Sequence, residues 1–222
     1  MPSGSDGDRP GRHGPRCAGR QPSPDRARIV AAARELFEAK GYAATTMAAV
    51  ADTAGVPVAE VEAAFGNKVT LLQAALDAAA AGDSHPSADR PWAHAAGATS
   101  DPMELLSRQA VNVRARLERI APLAAVLHAA ASTDPDLVEL AARFDDQRAV
   151  QARIVITELA NRGALRPELD VAEATDVLWL LQDPSTYLRL VVARGWSPAM
   201  YQTWLAETAI RLLVSVRRTR PA

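Results

Sequence analysis

The placement of proline constrains this chain more than any other feature. Ser23-Pro24, Asp101-Pro102, Asp134-Pro135, Asp183-Pro184 and Ser197-Pro198 each set a short polar side chain directly before a proline. The Ser or Asp oxygen accepts a hydrogen bond from an orphan N–H of a first helical turn. Proline at the first helical position loses nothing, because its absent N–H would be unpaired there in any case. Stops answer these starts: Lys40-Gly41, Ala81-Gly82, Arg162-Gly163 and Arg194-Gly195. Glycine takes the left-handed conformation after a last turn, and a cation suits the negative end of the helix dipole.

Between these marks the apolar spacing is helical. Ile29, Ala33, Leu36 and Phe37 share a face, as do Leu137, Leu140, Ala141, Phe144, Val155 and Leu159. No alternating strand pattern is convincing, so the expected class is all-α. The spacing predicts helices over 24–40, 46–53, 58–64, 68–82, 102–119, 121–132, 135–162, 171–182, 184–194 and 198–216. Residues 83–100, with Pro86, Pro91 and Gly97, are expected to form a linker or long loop. Residues 1–22 have no apolar period and predict a disordered basic arm carrying Arg9, Arg12, Arg16 and Arg20; residues 217–222 form a tail.

With 222 residues and 48% hydrophobic residues, the chain can bury a sizeable core. Its formal net charge of −1 does not advertise nucleic-acid binding, so any affinity for DNA must come from local distribution. The lone Cys17 can form no internal disulfide, which fits a reducing bacterial cytoplasm. No apolar run approaches a membrane span. Enzyme signatures are absent: there is no GxSxG, HExxH, P-loop or CxxC, and the four histidines lack metal-ligand spacing. No cofactor and no metal are expected.

Helices 46–53 and 58–64 flank a tight turn. Ala51 is small where a second helix would cross, and Gly55, four residues on, tolerates positive φ. Val61 is an inward anchor, and Val50, Val56 and Phe65 complete a small core. These are the packing residues of a helix-turn-helix. Residues 27–76, ARIVAAARELFEAKGYAATTMAAVADTAGVPVAEVEAAFGNKVTLLQAAL, resemble the N-terminal domain of TetR-family transcriptional repressors. The landmarks are AARELF, Gly41-Tyr42, Thr45-Thr46, Ala51, Ala54-Gly55-Val56 and Phe65-x-x-Lys68. The segments AGDSHPSADRPW, LWLLQDP and RGWSPAMYQTWL further resemble an actinobacterial subgroup of that family.

The resemblance implies a helix-turn-helix DNA-binding domain at 23–70 and a helical ligand-binding and dimerisation domain at 71–216. It implies a homodimer that seats helix 58–64 in each half of a near-palindromic double-stranded DNA operator, with a small-molecule effector releasing the DNA. The surface departs from the family pattern. Pro57, Val58, Glu62 and Ala64 stand where the family usually carries Ser, Lys and aromatic residues. Over 23–70 five cations (Arg26, Arg28, Arg34, Lys40, Lys68) face six carboxylates (Asp25, Glu35, Glu38, Asp52, Glu60, Glu62).

Three readings stay open. In the first, Glu60 accepts from a cytosine amino group while Val58 or Ala59 packs on a thymine methyl. Pro57, Glu62 and Ala63 would lie along the same surface. Arg26, Arg28, Thr45, Thr46, Asn67, Lys68 and the arm would then hold phosphates. In the second, the glutamates are merely solvated and binding is weak. In the third, the chain is a dimeric small-molecule binding or partner protein that has lost specific DNA binding.

In the C-terminal domain, Arg148 and Gln151 interrupt the apolar stripe of 135–162, so each needs a partner. They either line an effector site, joined by Trp92, His128, Phe144, Trp179, Gln182 and Tyr187, or pair internally with Asp183, Asp145 or Glu118. The last helices are apolar over wide arcs. Trp179, Tyr201, Trp204, Leu205, Thr208 and Leu212 are therefore the expected dimer interface.

Overall fold

The computed structural model describes residues 24–82 and 101–215, and within them the chain is all-helical. The order is α1 (Pro24–Ala44), α2 (Met47–Ala54), α3 (Val58–Phe65), α4 (Lys68–Ala81), α5 (Pro102–Ala131), α6 (Pro135–Asn161), α7 (Val171–Leu181), α8 (Pro184–Tyr187, continuing as a π-helical stretch over Leu188–Ala193) and α9 (Pro198–Leu213). The expected arm, Ser23, the 83–100 linker with Trp92, and the tail lie outside the described residues.

The caps are those the proline dipeptides require. Asp101 accepts from the Met103 N–H, Asp134 from Asp136, Asp183 from Ser185 and Ser197 from Met200. Two expectations fail. First, 102–119 and 121–132 are one helix, α5, with Pro122 inside it. Proline leaves one intrahelical carbonyl without its bond, at a cost of about 3 kcal/mol. Burial on both sides offsets this: Ile120, Ala121, Leu123, Ala124 and Leu127 are all core residues. Second, 184–194 is not one α-helix, because it opens to i→i+5 bonding, as in Arg194 N–H to the Arg189 carbonyl.

Helices α1 to α4 close around Ile29, Ala33, Phe37, Val50, Ala51, Val61, Phe65, Leu71 and Leu72. Gly41 breaks α1 at φ 76°, which turns the chain so that Tyr42 stacks on Phe37 with ring centroids 5.9 Å apart. Gly55 ends α2 in the left-handed region, at φ 66°, and returns its N–H to the Ala51 and Asp52 carbonyls. The same buried cluster runs on through α4 into Val113, Leu117 and Ile120 of α5 and Leu137 of α6. The small N-terminal unit therefore shares a continuous core with the body. Arg34 donates to the Arg119 carbonyl, and Arg119 Nε donates to the Ala79 carbonyl at 2.9 Å.

A second core lies at the far end of the body. It joins Leu105 and Leu106 of α5, Val155, Ile156 and Leu159 of α6, Leu178 of α7, and Ala209 and Leu213 of α9. There the loop after α6 meets the chain beyond α9. Leu165 bridges Val214, and Ser215 N–H donates to the Ala164 carbonyl at 2.8 Å.

Candidate DNA-reading surface and candidate effector site

Helix α3 buries only Val61 and Phe65. Pro57, Val58, Ala59, Glu60, Glu62 and Ala63 all stand exposed on its outer side among the described residues. This face has the size and the location of a reading helix, yet its charged groups are both carboxylates. The cations expected to hold phosphates are occupied elsewhere. Arg26 Nη1 donates to the Ala64 carbonyl at 2.8 Å, and its guanidinium lies 4.1 Å from the Phe65 ring centroid. Arg28 Nη2 donates to the carbonyls of Ala54, at 2.7 Å, and Gly55. Lys68 Nζ donates to the Tyr42 carbonyl at 2.9 Å and sits 4.1 Å above that ring.

Each of these cations thus clips the end of a helix, where free carbonyls and the dipole attract positive charge. Arg26, Arg28 and Lys68 each hold a backbone carbonyl of their own domain while remaining partly exposed. Thr45 is a correction: it is fully buried and spends its hydroxyl on the Gly41 carbonyl. Thr46 and Asn67 remain at the surface as N-caps, accepting from Ala49 and Thr70. A cleft of about 770 Å³ opens beside the junction of head and body, lined by Lys40, Tyr42, Lys68, Ala125, Ala129, Thr133 and Asp134 among others.

In the body, Arg148 is buried and pairs internally. It lies 2.9 Å from Asp145 Oδ1 and 3.3 Å from Asp183 Oδ2, donates to the Trp179 carbonyl at 3.2 Å, and stacks 5.0 Å from the Trp179 ring. Burial pushes the Asp183 carboxyl up. Hydrogen bonds from the Ser185 hydroxyl and N–H, the Arg148 charge and the Thr186 N–H outweigh it and hold the group below its usual value. Gln151 does not share this face. It points to solvent, and Ala152 takes the buried position one residue on. His128 is exposed too, its Nε2 3.2 Å from Asp145 and its ring edge-on to the half-buried Phe144.

Gln182 and Tyr187 are buried, and Tyr187 packs edge-on to Tyr201 at 5.0 Å. Burial raises the Tyr201 hydroxyl far above its ordinary pKa. Arg116 on α5, which sequence reasoning missed, joins this group. Burial lowers its pKa, and the like charges of Arg148 and Arg119 lower it further. The available signal was its place three residues after Val113 and four before Ile120, beside the buried stripe of α5.

Residues 29–75 match the family model of bacterial regulatory proteins, tetR family. The N-terminal domain belongs to the TetR family. No curated protein matches the chain. Among solved structures, NalD, the secondary repressor of the MexAB-OprM multidrug efflux pump in Pseudomonas aeruginosa, is 22% identical with a TM-score of 0.62, over 88% of this chain and 98% of that one. A TetR-family member from Streptomyces coelicolor A3 is 23% identical with a TM-score of 0.60, over 86% and 98%. A structure from Saccharomonospora viridis, in complex with choline, is 19% identical with a TM-score of 0.65, over 86% and 97%. At these identities the likeness is one of fold, and it spans both the TetR head and the helical body.

Exposure also sorts the expected interface residues. Tyr201 and Leu205 are buried within the subunit, so they serve its own core, not a partner. Trp179 and Trp204 are half-buried, the latter against Tyr201 and Trp196. Thr208 is half-buried and Leu212 exposed, and the large exposed Leu180 lies on the neighbouring α7. Among the described residues no helix is long and apolar enough to cross a membrane, and no cluster of His, Cys, Asp and Glu could hold a metal ion.

Proposed function

We propose that this chain is a ligand-responsive, dimeric transcriptional repressor that binds a near-palindromic DNA operator. The observation that carries the reading is the outer face of α3, exposed among the described residues on a TetR-type head. Two copies join through α7 and α9, with Leu180, Thr208 and Leu212 at the contact. Within the head, labour is divided. Glu60 reads a base, and Val58 and Ala59 touch thymine methyl groups. Phosphates are held by the arginines of the N-terminal arm, the Thr46 hydroxyl and the N–H groups that open α4 at Asn67.

Selection from a random DNA pool at several salt concentrations tests this. A palindromic motif should emerge, its binding should depend steeply on salt, and removing residues 1–22 should lower that slope. Failure to enrich any motif even at low salt refutes the reading. A second reading rests on a specific observation, the acidic α3 surface beside cations that clip helix ends. It makes the chain a dimeric small-molecule binding or partner protein without specific DNA binding. Ligands that shift its melting temperature while no DNA is selected would favour it.

The effector site lies where α5, α6, α7 and α9 meet around Arg116, Arg148 and Tyr201. The Saccharomonospora structure holds a cation, choline. A cationic effector here would meet the buried Arg148 and the half-buried Arg116, the latter with no ion pair among the described residues.

A further inference from the structure

We propose that the effector is an organic acid, its carboxylate held by Arg116 with the help of Trp179 and Gln182. This rests on the ligand-responsive reading above and names the chemistry of its ligand. Among the described residues three buried side-chain polar atoms find no hydrogen-bond partner: Arg116 Nε, Trp179 Nε1 and Gln182 Nε2. All three are donors. A buried donor without an acceptor costs free energy, and three such donors in the body call for an acceptor that its described residues do not supply.

Their neighbours fix the charge of that acceptor. Arg148 holds Asp145 and Asp183, so its own charge is met. Arg116 is met by no such pair, and the arginine charges that act on it are of its own sign. One added anion neutralises it. Gln182, 3% exposed, is the C-cap of α7 and lies next to Asp183, the partner of Arg148. Trp179 lies under the Arg148 guanidinium. Two of the donors thus sit on the last turn of α7 beside the Arg148 pair, and the third, on α5, feels the charge of Arg148. The aromatic group of Tyr187, Tyr201 and Trp204 offers an apolar wall for the body of the acid.

The test uses the full chain in thermal-shift and calorimetric titrations. The probes are matched pairs at equal ionic strength: benzoate with benzamide, phenylacetate with phenylacetamide, hexanoate with hexanamide, and tetramethylammonium chloride as a cation. At least one acid should raise the melting temperature while its amide and the cation do not. R116M should weaken that acid at least tenfold, yet melt at or above wild type without ligand, because it removes a half-buried cation whose Nε is buried and unpartnered. W179F and Q182L should each weaken it about three- to tenfold, a lost hydrogen bond apiece.

Should R116M fail to fold, R116K decides, retaining the acid preference at reduced affinity. Silence from every acid, equal binding of amides, or unchanged binding by R116M together with W179F and Q182L overturns the proposal. Hits confined to amides or the cation sink the acid alone and leave the ligand-responsive reading standing. If a broad neutral and cationic library is silent as well, that reading falls too.

Discussion

Arg26 separates two uses of a cation in a reading head, and R26A tells them apart. As a clip, Arg26 gives, among the described residues, a charge-assisted hydrogen bond to the Ala64 carbonyl at 2.8 Å and a cation–π contact at 4.1 Å with Phe65, itself 4% exposed. The hydrogen bond is worth about 1.5 kcal/mol at the low end of the charged range, fitting for a half-buried side chain. The ring contact adds about 0.5–1 kcal/mol. R26A should therefore cost about 2 kcal/mol, or roughly 4–8 °C in melting temperature for a chain of this length. R26K keeps the charge over the ring but loses the planar donor fork, and should recover about half.

Thermal denaturation with parallel DNA titrations over a salt series reads both quantities. If Arg26 instead neutralises a phosphate, R26A leaves the melting temperature within about 1 °C and flattens the salt dependence by about one unit of slope. That outcome would refute the clip and restore the expectation from sequence.

Three further outcomes follow from the geometry. Asp183 has a depressed folded-state pKa, so its stabilisation is complete above the unfolded value of about 3.9 and is lost as pH falls through the folded value. D183N should lower stability at neutral pH and soften the loss below about pH 4; an acid limb as steep as wild type counts against the pairing with Arg148. L180D together with L212D should shift sedimentation from dimer to monomer, whereas V138D, on the exposed side of α6, should not; unchanged association would move the interface elsewhere. E60Q should alter one position of each selected half-site, while E62Q changes affinity alone. A uniform gain from both makes Glu60 a bystander charge.

The parts of the fold legible in the sequence are the local ones. An Asp before a proline caps a helix through atoms two or three residues apart, so Asp101, Asp134 and Asp183 announce themselves. Gly55 and Val61 do the same for the helix-turn-helix, since a turn and an inward anchor are set within one supersecondary unit. Pro122 misled because what carries α5 past it is tertiary burial of its neighbours, which no local rule registers. Gln151 misled by angle, since it sits just beyond the edge of the stripe that Arg148, Ala152 and Val155 occupy. The clips were invisible for a third reason. Arg26 and Ala64 are 38 residues apart, and a solvent-exposed cation and one seated on a distant carbonyl look alike in sequence. Arg116 could have been noticed beside its stripe, but its lack of a partner is a property of the assembled body.

Helix α5 carries Arg116 and Arg119 three residues apart, a rise of about 4.5 Å. Arg119 reaches the Ala79 carbonyl near the end of α4, and its own carbonyl takes a hydrogen bond from Arg34 of α1. The latch between body and head is thus a single helical turn from the unmatched guanidinium. A roll of α5 that brought Arg116 onto an anion would turn Arg119 with it, loading the hydrogen bonds of the latch together.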